Sequence, residues 1–121
     1  MHSVYFILKC VIEMKVIITS SKTLNISMYL LQTACFTAVK SWNDYIKEVV
    51  VLNEWSNTVN VIKQLTKFAQ IPVKMFDVEE DMMKYADALL IICEKENEEI
   101  TNLIKIAKKK ELIIYVYRTT S

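Results

Sequence analysis

Residues 89–117, LLIICEKENEEITNLIKIAKKKELIIYVY, decide the fold. Two apolar runs of strand length, 89–93 and 112–117, flank a segment from about 97 to 109 in which Ile100, Leu103, Ile104 and Ala107 recur at helical spacing. Glutamates open that helix and Lys108, Lys109 and Lys110 close it, a distribution that complements the helix dipole without any ligand. Strand, helix and strand in this order make a crossover unit of a parallel sheet. Similar apolar runs recur upstream at 16–19, 49–52 and 73–76, with helical segments between most of them.

In the first of these segments Met28, Leu31, Cys35 and Val39 share one helix face. The next, from about 58 to 69, carries Val61, Ile62, Leu65 and Phe68 inward, and residues 70–73 turn it into the third strand. A shorter helix over about 79–85 precedes the fourth strand, and its Glu79, Glu80 and Asp81 read as a solvated helix start rather than a cation site. Met82 and Met83 read as core packing or as an adaptable contact surface.

A chain of 121 residues, 53% of them hydrophobic, fits one domain with its own core. A formal charge of +1 gives no reason to expect nucleic acid as a partner. Cys10, Cys35 and Cys93 are odd in number, far apart and set in apolar runs, so they read as reduced core residues of a cytoplasmic protein. The apolar N-terminus is interrupted by Lys9, Glu13 and Lys15, which argues against a membrane span. Residues 4–8 are an extra edge strand, or residues 1–13 are an extension before a domain spanning 14–121. The excess of Phe, Tyr, Met, Ile, Asn and Lys over Gly, Ala, Arg and Pro points to an AT-rich genome, such as that of a bacteriophage or another virus.

The chain has no glycine, yet it is laid out like a fold that holds phosphate on glycine-rich loops. Its absence argues against a conventional phosphate cradle, because glycine supplies both φ > 0 and close backbone approach.

MKVIITSSKTLN (14–25), FAQIPVKMF (68–76) and MKYADALLIICEKENEEITNLIKIAKKKELIIYVY (83–117) resemble, in order, the YspA-like branch of the SLOG superfamily. That superfamily comprises Rossmannoid nucleotide-binding proteins related to DprA and to the LOG phosphoribohydrolases. The resemblance implies ligand loops at three places, and the sequence departs from the family at each. Where the family has Gly-Ser-Arg, this chain has Ser20, Ser21 and Lys22, which retain a hydroxyl and a cation. The second loop, usually Gly-Gly-x-x-Gly, matches Asn53, Glu54, Trp55, Ser56 and Asn57, and asparagine can hold a left-handed turn. The third, usually Gly-Thr, matches Glu99 and Ile100, preceded by Glu94, Glu96 and Glu98, whose charge repels phosphate. The LOG catalytic pattern is absent, so N-glycosidic hydrolysis is not carried over.

Other chemistry is poorly supplied. The only histidine, His2, lies near the terminus, which leaves no triad, dyad or histidine metal site. Asp87 reads as a turn or cap residue. Among the aromatics Trp42, Trp55, Tyr115 and Tyr117, Trp55 stands in the loop that replaced glycine, as a plug, an anchor for another protein or a stacking platform for a base.

These readings converge on an α/β three-layer Rossmann-like sandwich with a mainly parallel sheet of about five strands in the order 3-2-1-4-5. The expected function is that of a non-enzymatic accessory protein, without cofactor or metal, acting on another protein or on itself through Glu54, Trp55 and Glu99. The alternative is a binder of a nucleotide-derived small molecule using Ser20, Ser21, Lys22, Asn53 and Asn57. Neither nucleic acid nor membrane is an expected partner.

Overall fold

The computed structural model describes residues 13–22 and 24–119; for Glu13, Ser56 and Asn57 only the backbone is described. The expected extension at 1–13 with its strand at 4–8 falls, apart from Glu13, outside the described residues, as do His2 and Cys10. Strands and helices alternate as β1 (Glu13–Ser20), α1 (Met28–Trp42), β2 (Tyr45–Leu52), α2 (Ser56–Ala69), β3 (Val73–Phe76), α3 (Glu79–Tyr85), β4 (Ala88–Cys93), α4 (Glu98–Lys109) and β5 (Ile113–Arg118). The five strands form one sheet, parallel throughout, in the order β3-β2-β1-β4-β5. This is a Rossmann-like α/β fold.

Right-handed crossovers place α1 and α2 on one face of such a sheet and α3 and α4 on the other, and the core divides accordingly. Val16, Ile18, Val49, Val51, Leu90 and Ile92 pack with Leu31, Ala34, Ala38, Val59 and Ile62 of α1 and α2. Ile17, Val50, Leu89, Ile91 and Cys93 pack with Met82, Met83, Ile100 and Ala107 of α3 and α4. Every residue of β4 is buried, as expected of a central strand covered on both faces. Fully burying a side chain such as Leu89 or Ile91 contributes about 1.5–3 kcal/mol, which is why unbroken apolar runs specify these strands.

Met82 and Met83 are fully buried, so they pack the core rather than offer a contact surface. Trp42 meets Tyr115 edge to face, with ring centroids 6.4 Å apart; both rings, with that of Tyr117, lean on the α1/α2 core.

Two helix faces differ from expectation. In α1 the buried positions are Leu31, Ala34 and Ala38, with Met28, Cys35 and Val39 only half-buried. In α2 Phe68 is 81% exposed rather than inward. The buried stripe there is Val59, Ile62 and Thr66, and Thr66 satisfies its hydroxyl by donating to the Ile62 carbonyl at 2.8 Å. Phe68 is nine residues from Val59, half a turn around the helix from that stripe.

Without glycine, three helices still end on a left-handed residue: Asn43 at φ 55°, Gln70 at φ 58° and Glu111 at φ 62°. In each case the next residue donates to the helix, from Asp44 to Val39, Ile71 to Thr66 and Leu112 to Ala107. These are Schellman closures, which ordinarily place glycine at the left-handed position.

Candidate functional site

The sheet order changes direction between β1 and β4, and ligands of open α/β sheets bind outside the carboxyl ends of the strands at such a point. The carboxyl ends of β1, β2 and β4 bring together the three loops singled out in the sequence.

In the first loop the polar groups are largely engaged. Ser20 and Thr58 share a hydrogen bond of 2.9 Å between their hydroxyls, tying β1 to the first turn of α2. Ser21 is buried and its backbone N–H donates to the Ile92 carbonyl at 3.0 Å. Lys22 reaches across the crevice to Glu99, 3.5 Å from Nζ to Oε2. Both partners are mostly exposed, so the pair contributes about 0–1 kcal/mol to stability. Its larger effect is to neutralise the cation that a phosphate would need.

The second loop turns without a left-handed residue. Trp55 N–H donates to the Leu52 carbonyl at 3.0 Å and Asn53 N–H to the Phe76 carbonyl at 2.8 Å, while the Asn53 amide donates to the Asp77 carboxylate. Neither Asn53 nor Asn57 has a positive φ, which corrects the expectation of a left-handed asparagine there. Asn57 lies inside α2, and its side chain is outside the described residues. Trp55 is half-buried at the start of α2 and packs against both cores, closing the carboxyl end of the sheet. The positions of Trp55 and Asn53 are thus set by one short connection.

Trp55, Ser20 and Glu54 border two shallow depressions. One, of about 240 Å³, is lined by Ser21, Lys22, Leu24 and Thr58. The other, of about 170 Å³, is lined by Thr19, Glu79, Glu99, Asn102, Leu103 and Ile106, with Ile100 beneath. Both are smaller than the roughly 300–1,000 Å³ of ordinary small-molecule pockets. The sequence reading did not single out Thr19 or Asn102, and it took Glu79 for a solvated helix start. Position was the available signal, since Thr19 is the penultimate residue of β1, Glu79 opens α3 and Asn102 lies one turn into α4, all towards the same edge.

Charge is strongly polarised. The carboxyl-edge loops and first helical turns carry Glu54, then Asp77, Glu79, Glu80 and Asp81, then Glu94, Glu96, Glu98 and Glu99, against Lys22, Lys95 and Arg118. Arg118 is itself bonded to Glu96 at 2.9 Å. Two helices start with a side-chain cap: Ser27 accepts from Leu30 N–H, and Asn97 from Ile100 N–H. Asn97 therefore occupies a donor of α4 that an anion would otherwise use. α2 begins at Trp55 with no side-chain cap.

Asp87 sits at the opposite, amino edge and accepts from Lys15 N–H at 2.9 Å, the turn role expected of it. Tyr85 donates its hydroxyl to Glu48, and that bond, with burial and the Glu48 and Asp87 charges, holds its pKa above the ordinary value. An apolar groove of about 190 Å³ between α1 and α2 has Cys35 in its wall, and burial pushes this thiol up to about 12. Such a thiol is no nucleophile at neutral pH. Burial likewise raises Cys93, with Arg118 opposing. Among the described residues no group of three His, Cys, Asp or Glu side chains is placed to hold a metal ion, and no helix is long and apolar enough to cross a membrane.

No protein-family model matches the chain, and searches of curated proteins and of solved structures give no match either.

Proposed function

We propose that this chain is a non-enzymatic, SLOG-like accessory domain of phage or viral type that works by binding another protein, its nucleotide crevice having lost the means to hold phosphate. The observation that carries the reading is the state of the crevice. Trp55 packs on both cores between the two depressions, Lys22 is turned onto Glu99, and Glu54, Glu79 and Glu99 rim one half of the crevice. Phosphate would meet several carboxylates and one already neutralised cation. At an effective dielectric near 20, a like-charge pair at about 4 Å costs on the order of 4 kcal/mol, more than a helix terminus returns.

Capture of binding proteins on the immobilised full chain tests this. A partner retained by the wild type and lost with Glu54→Lys supports the reading; retention unchanged by both Glu54→Lys and Trp55→Ala would place any interaction elsewhere and remove the crevice from it. Self-association is read in the same series by sedimentation of the free protein.

A second reading, the binding of a nucleotide-derived small molecule, draws on the other depression. Ser20, Ser21, Lys22 and Thr58 gather there beside the uncapped start of α2. Asn53 contributes little to it, because its amide is committed to Asp77. This reading requires Lys22 to leave Glu99 when ligand binds.

A further inference from the structure

The glutamates around the 170 Å³ depression are partly explained by the helix dipole, since Glu79 and Glu99 stand on first turns. Glu54 is not, because it lies in the β2–α2 loop. A second feature is independent of charge. Thr19 is only 5% exposed, lines the depression, and its hydroxyl enters none of the side-chain hydrogen bonds among the described residues. No fully enclosed side-chain polar atom among the described residues lacks a partner, so the Thr19 hydroxyl keeps a small exposure, in a residue that lines the depression. A nearly buried hydroxyl that borders a cavity can pair with a polar ligand atom there.

We infer that this acidic half of the crevice receives one extended organic cation, the guanidinium or ammonium head of an arginine or lysine side chain presented by a partner protein. This names the chemistry of the partner in the reading above and rests on that reading. The floor formed by Ile100, Leu103 and Ile106 suits the aliphatic stem of such a side chain, which covers apolar surface while its head stays polar. Glu54, Glu79 and Glu99 border the space around the head, Thr19 and Asn102 offer hydrogen-bonding oxygens, and the Trp55 indole supplies an aromatic wall for a cation–π contact. The carboxylates surround the depression rather than converge on one point, so they fit a delocalised or extended cation and not a metal ion. Lys22, already beside Glu99, is an internal competitor for the same carboxylate.

The test is a resonance titration of the full chain with four probes: a capped Ala-Arg-Ala peptide, a capped Ala-Glu-Ala peptide, spermidine and inorganic phosphate. The arginine peptide should shift Thr19, the Trp55 indole and Leu103 saturably. Its affinity should fall about tenfold in Glu54→Gln and in Glu99→Gln, fall about threefold in Trp55→Phe, rise in Lys22→Ala, and decline with salt. Glu54, Glu99 and Lys22 are exposed, so these variants keep the fold. Absence of a saturable shift at the three reporters, equal binding of the glutamate peptide, or indifference to both glutamine variants would overturn the inference. Spermidine binding tenfold tighter than the arginine peptide would overturn the assignment to a protein side chain. A captured partner lost with Glu54→Lys, together with no arginine-peptide binding, would refute this inference and leave the interaction reading standing. Saturable nucleotide binding lost with Lys22→Ala would remove both.

Discussion

Gln70→Gly and Glu111→Gly should stabilise this protein, although glycine ordinarily weakens a fold. Both residues hold the left-handed position of a Schellman closure, at φ 58° and 62°, and both side chains are exposed, so no packing is lost on removing them. A left-handed L-residue costs about 1–2 kcal/mol. Glycine relieves that cost but adds about 0.4–1 kcal/mol of unfolded-state entropy, leaving a gain of about 0.5–1 kcal/mol per site. Glu111 also lies just beyond the carboxyl end of α4, where a negative charge opposes the dipole, so its replacement should give the larger effect. The two sites close different helices and should add. For a domain of this size about 1 kcal/mol corresponds to roughly 4 °C, so the double variant should melt about 4–8 °C higher, by far-UV circular dichroism and by urea titration. Asn43→Gly is the internal control: asparagine tolerates this region, so the change should stay within a few tenths of a kcal/mol. A double variant that melts at or below the wild-type temperature would refute the reasoning.

Phe68→Ser should change stability by no more than about 0.5 kcal/mol, while Ile62→Ala should cost about 2–5 kcal/mol, a contrast read by urea denaturation that reports which face of α2 is buried. Because the folded-state pKa of Cys35 is raised from 9.0 to about 12, the unfolded chain ionises first. Stability is therefore fully present below pH 9.0 and falls as pH rises from there towards about 12, with Cys93 and Tyr85 contributing in the same direction. Cys35→Val should flatten this slope in urea titrations across that window. In a Cys10→Ser background, thiol labelling at pH 8 should be slow and should accelerate only with unfolding. Asp87→Ala should cost about 0.5–1.5 kcal/mol through loss of the exposed Lys15 N–H bond, with no effect on any ligand, as measured by thermal denaturation.

How much of this was legible in the sequence differs between fold and site. The three central strands were readable because 16–19, 49–52 and 89–93 are runs buried on both faces, whereas the edge strands are only partly covered; 73–76 still coincides with β3, and β4 adds only Ala88 to 89–93. The inward face of α2 was misread because Thr66 is polar. Its hydroxyl returns to its own helix, which lets a threonine stand in the core while Phe68 stands in solvent. Asparagine in the second loop was read as able to hold a left-handed turn, but the β2–α2 turn closes without one and the left-handed positions fall at helix ends. At the crevice, chain order placed Ser20, Lys22, Trp55 and Glu99 at one edge. It could not show that Ser20 would bond Thr58 or that Lys22 would meet Glu99, since those pairings depend on how two loops approach across the sheet.

The central claim is that this crevice no longer holds anions, and thermal-shift titration with AMP, ADP-ribose and a cyclic dinucleotide tests it most directly, with wild type and Lys22→Ala side by side. A ligand at 100 times its dissociation constant adds about 2.7 kcal/mol, a rise of roughly 10 °C for a domain of this size. The account predicts less than about 1 °C at millimolar concentration, within the scatter of such melts, for both proteins. A saturable rise of several degrees in the wild type that disappears in Lys22→Ala would contradict it.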